Sequence, residues 1–160
     1  MKISILYDSK SGHTKRIGET IKLGAERVSE IEVKCMNINN IDINFLNESK
    51  AVIFGTPTYL ANTTSNIKNW LDNSRNVNLE GKIGAMYATA DYIWGGADTA
   101  ILTLMNHLIV KGMLLYSGGS AHGKPFIHLG YVSVNGVNDE DKETPMIFGE
   151  RIAKKVKELF

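Results

Sequence analysis

The sequence predicts an α/β fold: a three-layer αβα sandwich around a five-stranded parallel sheet in the order 2-1-3-4-5. Three observations predict it. Strand and helix patterns alternate from end to end, with no linker, repeat or low-complexity tract. Two segments, Ala51-Val52-Ile53-Phe54 and Ile83-Gly84-Ala85-Met86-Tyr87-Ala88, are continuously apolar, as strands covered by helices on both faces are. One strand alternates: Ile31, Val33 and Cys35 share a face, and Glu32, Lys34 and Met36 share the other, which is expected near water. That strand is second in the chain, and the second strand is an edge in the order 2-1-3-4-5 but interior in 3-2-1-4-5.

The elements follow in order. Residues 2–7 read as strand 1. Ile17, Ile21, Ala25 and Val28 then recur at helical spacing. Residues 31–36 form strand 2, and the two apolar runs form strands 3 and 4. Between them Ile67, Trp70 and Leu71 mark a helix, with Thr64 or Ser65 as its cap. A longer helix runs from Ala97 to Lys111, with Ile101, Leu104, Met105 and Leu108 facing inward. Met113–Tyr116 is read as strand 5. Thr144-Pro145 is read as the N-cap and first residue of the last helix, which buries Ile152, Val156 and Leu159. Lys154, Lys155 and Lys157 read as a solvated face.

The bulk numbers bound the function. A chain of 160 residues suits a single domain over 1–160 and needs no disulfide or metal to be stable. Hydrophobic residues are 43% and charged residues 22%, ordinary for a globular protein, and the net charge of +1 leaves no footprint for nucleic acid. Cys35 is the single cysteine, which excludes an internal disulfide and a cysteine-rich zinc site. No run approaches the ~20 apolar residues of a membrane span, and MKISILYDSK turns polar too soon for a signal peptide. A cytoplasmic protein without a membrane partner is expected.

In such sheets ligands bind beyond the carboxyl ends of the strands, so three loops are candidates. After strand 1 comes Ser9-Lys10-Ser11-Gly12-His13-Thr14, hydroxyls and a glycine at a helix start. A helix N-terminus has unpaired N–H groups and partial positive charge, and so suits a phosphate. Neither G-x-x-x-x-G-K-[ST] nor G-x-G-x-x-G is present, so neither a nucleoside triphosphate nor a dinucleotide pyrophosphate is indicated. The alternative is that these residues merely cap the helix. After strand 3 comes Gly55-Thr56-Pro57-Thr58-Tyr59-Leu60-Ala61-Asn62, stiffened by Pro57, with Tyr59 and Leu60 as an apolar surface. After strand 4 comes Thr89-Ala90-Asp91-Tyr92-Ile93-Trp94-Gly95-Gly96. Three such loops at one switch point suit a planar ligand with a phosphate tail. His13, His107, His122 and His128 show no metal-ligand spacing. His107 reads as structural, while His122 and His128 could edge the site.

With these segments the chain resembles the flavodoxin-like superfamily, which binds flavin mononucleotide (FMN). Tyr7-x-Ser9-x-x-Gly12-His13, Phe54-Gly55-Thr56-Pro57-Thr58 with Asn62, Ile67-x-x-Trp70-Leu71-Asp72, Gly95-Gly96 with Thr99, and Gly112-Met113 are similar to NAD(P)H:quinone oxidoreductases of the tryptophan-repressor-binding-protein type. The resemblance implies that Ser9, Lys10, Ser11, Gly12, His13 and Thr14 hold the FMN phosphate. It implies that Pro57, Thr58, Tyr59, Leu60 and Asn62 line the ring, and that Thr89, Ala90, Asp91, Tyr92, Trp94 and Gly95 form a third loop around it. The chain departs from those reductases in two ways. Only Asn37–Lys50 lies between strands 2 and 3, without the insertion that helps build their tetramer, and the third loop carries large residues where theirs are small.

The resemblance implies an enzyme: hydride from NADH or NADPH reduces the flavin, and a quinone or another small acceptor takes the electrons. A homodimer or homotetramer is the implied assembly. The rival is a flavodoxin-type one-electron carrier serving a redox partner protein. Two features weigh toward the enzyme. Flavodoxins are usually strongly acidic, and they commonly place a glycine in the strand-3 loop so that a peptide can turn toward the reduced flavin. Here the net charge is +1 and Thr56–Asn62 contains no glycine. A reductase that releases flavin as product remains open. A phosphorylatable receiver domain is rejected, because Gly55, Thr56 and Ser117 stand where it needs an acid and a lysine.

Overall fold

The computed structural model describes residues 1–138 and 140–160. Its elements run β1 (Lys2–Tyr7), α1 (His13–Ala25), β2 (Glu32–Asn37), α2 (Ile43–Glu48), β3 (Ser49–Pro57), α3 (Ser65–Asn73), β4 (Ile83–Ala90), α4 (Ala97–Val110), β5 (Leu114–Leu115), β6 (Tyr131–Val134) and α5 (Glu143–Leu159). The sheet is parallel, in the order β2-β1-β3-β4-β5, with β6 also on β4. This is the predicted order.

The period-two alternation of a strand sends its side chains to two cores. Ile3, Ile5 and Tyr7 pack with Ile17 and Ile21 of α1 and Phe148, Ile152 and Val156 of α5. Leu6 packs on the other face with Phe54, Met86, Ile67 and Leu71 of α3, and Ile101, Leu104 and Leu108 of α4. The two glycines at the α1–α5 crossing let backbones meet. A Cβ at either Gly24 or Gly149 would overlap backbone atoms of the opposite helix.

Several local expectations are corrected. Met36 is buried rather than facing water, because α2 covers that face with Phe45 and Leu46. This short helix starts where the Asp42 carboxylate accepts the Phe45 N–H at 3.0 Å. The last helix begins before Thr144. The Asp141 carboxylate accepts the Thr144 N–H at 3.0 Å, and Pro145 is tolerated inside the first turn, where no intrahelical bond is lost. Leu159 is exposed, in the last turn of that helix. Lys154, Lys155 and Lys157 pair with Glu150, Glu158 and Glu30.

The largest difference lies at the fifth position of the sheet. Met113–Tyr116 supplies only a two-residue β5, beside Ile83 and Gly84. The chain then leaves the sheet and returns as β6, beside Tyr87–Ala90. Gly118, Gly119 and Gly123 take positive φ in the excursion. Arg151 of α5, 9% exposed, holds it from beneath. Its guanidinium donates to five carbonyls, those of Gly118, Gly119, Gly123, Lys124 and Pro125, at 3.0–3.4 Å.

Candidate functional site: the carboxyl ends of β1, β3 and β4

The fold brings the three predicted loops to one end of the sheet. At the first, Gly12 takes φ 93° as the N-cap of α1, and no side chain caps the helix. Ser9 Oγ accepts the Gly12 N–H at 3.1 Å, so it closes the loop rather than the helix. The Thr14 and Lys15 amides have no intrahelical acceptor. By contrast, Asp42 caps α2 and Thr64 caps α3. The reading in which Ser9, Ser11 and Thr14 merely cap the helix is thus not what the geometry shows. Lys10, Ser11 and Gly12 are exposed at the mouth.

Thr14 is different, at 1% exposure. Its Oγ1 lies 2.8 Å from Thr89 Oγ1, and its carbonyl accepts the Tyr87 phenol at 2.9 Å. Burial pushes the Tyr87 phenol well above its ordinary pKa of 10.0, which keeps it a neutral donor. His13 Nε2 lies 2.9 Å from the buried Ser133 Oγ on β6. The hydroxyl pair, the phenol and the serine were not legible in the sequence, since β4 and β6 meet α1 only in the fold.

At the second loop Thr56 turns inward to Thr63, Oγ1 to Oγ1 at 2.9 Å. Thr58 N donates to Thr89 O at 2.7 Å. Tyr59 and Asn62 exchange two backbone hydrogen bonds, at 2.9 and 3.0 Å, across Leu60 and Ala61. Leu60 and Ala61 have φ 49° and 57°. This is the geometry of a type I′ turn, which glycine and asparagine favour. The absence of glycine therefore does not keep this loop out of the left-handed region, and that argument for the enzyme fails. Lys10 Nζ sits 5.3 Å from the centre of the Tyr59 ring.

At the third loop Gly95 N closes a turn on Tyr92 O at 3.0 Å. Asp91 is exposed, and Tyr92 and Trp94 are 63% and 91% exposed. Thr89 and Ala90 are buried, and both of their carbonyls are used, by Thr58 N and Asn135 N. Gly96, the N-cap of α4, abuts the strand-3 turn: a Cβ there would lie 2.5 Å from Ala61 Cβ. The second and third loops thus touch each other.

Two polar atoms here are buried and lack a partner among the described residues, Asp8 Oδ2 and Thr58 Oγ1. They stand just past β1 and β3. Asp8 is not among the binding residues that the sequence predicts, and its burial is what marks it. His122 instead bonds Tyr116, Nε2 to Oη at 2.8 Å, and His128 lines a cavity with Asp98, Phe126 and Leu129. His107 bonds its own helix at Thr103 O. Among the described residues no cluster of His, Cys, Asp and Glu could hold a metal, and no helix is long and apolar enough to cross a membrane.

The left-handed turn places a strained backbone at the tip of the second loop. L-residues at positive φ cost about 1 kcal/mol or more each. Leu60 is fully exposed, so its side chain returns nothing within the chain. Replacing Leu60 by Asn and Ala61 by Gly is expected to raise stability by about 1 kcal/mol. A higher urea midpoint at unchanged slope checks this.

The flavodoxin family profile matches residues 5–113, more than half of the chain. The chain belongs to the flavodoxin family. A flavodoxin of Clostridium saccharobutylicum is 56% identical over 160 residues, 100% of both chains. The solved structure of a flavodoxin from the domain Archaea superposes with a TM-score of 0.81 at 25% identity, covering 98% of this chain and 99% of that one. An NAD(P)H dehydrogenase (quinone) of Aromatoleum aromaticum is 27% identical over 143 residues, 72% of this chain and 69% of that one.

The enzyme reading is corrected by these findings. The expectation of NAD(P)H-dependent quinone reduction leaned on Phe54-Gly55-Thr56-Pro57-Thr58. The full-length match at 56% is to a flavodoxin, whereas the quinone-reductase match is distant and partial. The structure supplies the physical reason. Gly55 makes room for the Tyr87 ring, Thr56 braces Thr63, and Thr58 N bonds Thr89. These residues shape the loop, and shape does not choose between one- and two-electron chemistry. The net charge of +1 fails as an argument for a related reason: charge tunes encounter rate and salt dependence, not the reaction.

Proposed function

We propose that this chain binds FMN at the carboxyl ends of β1, β3 and β4 and serves as a one-electron carrier for redox partner proteins. The observation that carries the reading is the uncapped N-terminus of α1, opening beside the orphaned Asp8 and Thr58 oxygens. Membership of the flavodoxin family supports it.

The residues present fit the group. Ser9, Lys10, Ser11, Gly12, His13 and Thr14 hold the phosphate, through first-turn amides, hydroxyls and the Lys10 charge. Asp8 Oδ2 is an acceptor and suits the hydroxyl donors of the ribityl chain. Pro57, Thr58, Tyr59, Leu60 and Asn62 line the ring on one side, with Asp91, Tyr92, Trp94 and Gly95 on the other; Thr89 and Ala90 brace the loops beneath. The bound FMN supplies the electron-accepting ring, and the protein supplies position and electrostatics. Leu60 and Trp94, which flank the ring, also offer their outer sides as an apolar surface to a partner protein, and the low net charge makes that docking weakly dependent on salt.

The test is an FMN titration followed by anaerobic reductive titration. Binding and reduction in two separate one-electron steps is the expected result. Absence of FMN binding refutes the reading, and so does direct reduction by NADH or NADPH in a single two-electron step. Ser11→Glu places a carboxylate at the exposed mouth of the cradle without entering the core. It is expected to weaken FMN binding roughly 30-fold, about 2 kcal/mol, by like-charge repulsion. Riboflavin, which lacks the phosphate, is expected to bind as before.

A further inference from the structure

We propose that Tyr87 is the positioning residue of the phosphate cradle, acting with Thr89 through the single residue Thr14. The proposal rests on the FMN reading above and adds to it a residue that the three loops do not contain.

The fold clears a path for this side chain. Tyr87 of β4 pairs with Gly55 of β3 in the sheet register. With no Cβ on Gly55, the Tyr87 ring crosses β3 toward α1, and a Cβ there would overlap ring atom Cζ. A Cβ at Gly18, on α1 itself, would lie 2.5 Å from the phenol oxygen. Two glycines on two different elements therefore flank one ring. A phenylalanine would fill the same volume. What it would lack is the hydroxyl, which is fully buried and bonds Thr14 O at 2.9 Å.

That carbonyl belongs to the peptide whose other end is the Lys15 N–H. Helix peptide dipoles lie along the axis, so the Lys15 N–H points out of the N-terminus toward the anion. A hydrogen bond to the carbonyl end polarises the peptide and strengthens the donor at the N–H end. It also fixes the direction of that donor. Thr89, two residues along β4 and on the same face, holds the Thr14 hydroxyl at 2.8 Å. One strand thus grips the second residue of α1 by its carbonyl and its side chain. Thr14 cannot turn without breaking both.

The experiment is Tyr87→Phe, with dissociation constants measured for FMN and for riboflavin by flavin fluorescence, and the urea midpoint measured beside them. The expected result is an FMN constant raised roughly 10-fold with the riboflavin constant within about twofold of wild type. Thr89→Val is expected to show the same split, and Thr89→Ser, which keeps the hydroxyl, to restore FMN binding. A purely structural role would weaken both flavins together, and that result overturns the proposal, as does an unchanged pair of constants. If the wild-type protein binds neither flavin, the FMN reading falls and the proposal with it. If it binds both and the variants show no split, only the positioning role falls.

Discussion

Arg151→Met lowers the stability of the folded chain by about 3 kcal/mol or more, read as a fall in the urea midpoint. The guanidinium is buried beneath the excursion between β5 and β6 and satisfies five carbonyls. Each buried carbonyl left without a donor costs about 1–3 kcal/mol, and water entering the loop recovers part of that. The methionine keeps the apolar stem, so the loss reports the donors and not the packing. Arg151→Lys is expected to recover less than half, because an ammonium has three donors and cannot span the fork. The loss is a large share of a total stability of about 5–15 kcal/mol. It should also unseat β6, and with it the Ser133 contact to His13.

Gly55→Ala is expected to cost about 3 kcal/mol. Its Cβ would occupy space filled by the Tyr87 ring, which is fully buried and blocked on its far side by α1 at Gly18. Overpacking a site that cannot give way costs about 1–3 kcal/mol and sometimes more. The cause is testable by a double-mutant cycle. Tyr87→Leu vacates the space above Gly55, so the pair Gly55→Ala, Tyr87→Leu should lose about 2 kcal/mol less than the sum of the single losses. Simple addition would mean that Gly55 is required by its own backbone instead.

Much of the frame is legible in the sequence because it rests on local periodicity. The apolar runs at Ala51–Phe54 and Ile83–Ala88 mark interior strands, and the alternation at 31–36 marks the edge, so the order 2-1-3-4-5 follows. The cap of α3 is narrowed to Thr64 or Ser65 in the sequence, and the structure selects Thr64. Errors arise where another element covers a residue. Met36 looks solvent-facing until α2 is placed over it. Tyr131–Val134 is too short to announce itself, and it is a strand only because β4 offers a free edge beyond the two residues of β5.

The candidate site divides along the same line. The three loops could be named from the sequence, since glycines, hydroxyls and aromatics after strands carry their chemistry in residue type. The conformations of those loops could not be. Leu60 and Ala61 sit at positive φ against their own preference, held by the paired bonds of Tyr59 and Asn62 and by the close approach of Ala61 to Gly96. Asp8 reads as an ordinary loop acid, and only burial leaves its Oδ2 without a partner. The sequence by itself determined the doubly wound sheet, its strand order and the end of it that carries the loops, because hydrophobic period and residue type are properties of neighbours in the chain. The tertiary structure decided which hydroxyls remain open to a ligand, which are spent on one another, and which glycines make room for Tyr87. Those are relations between β4, β6, α1 and α5, residues far apart in sequence whose distances exist only once the sheet has closed its two cores.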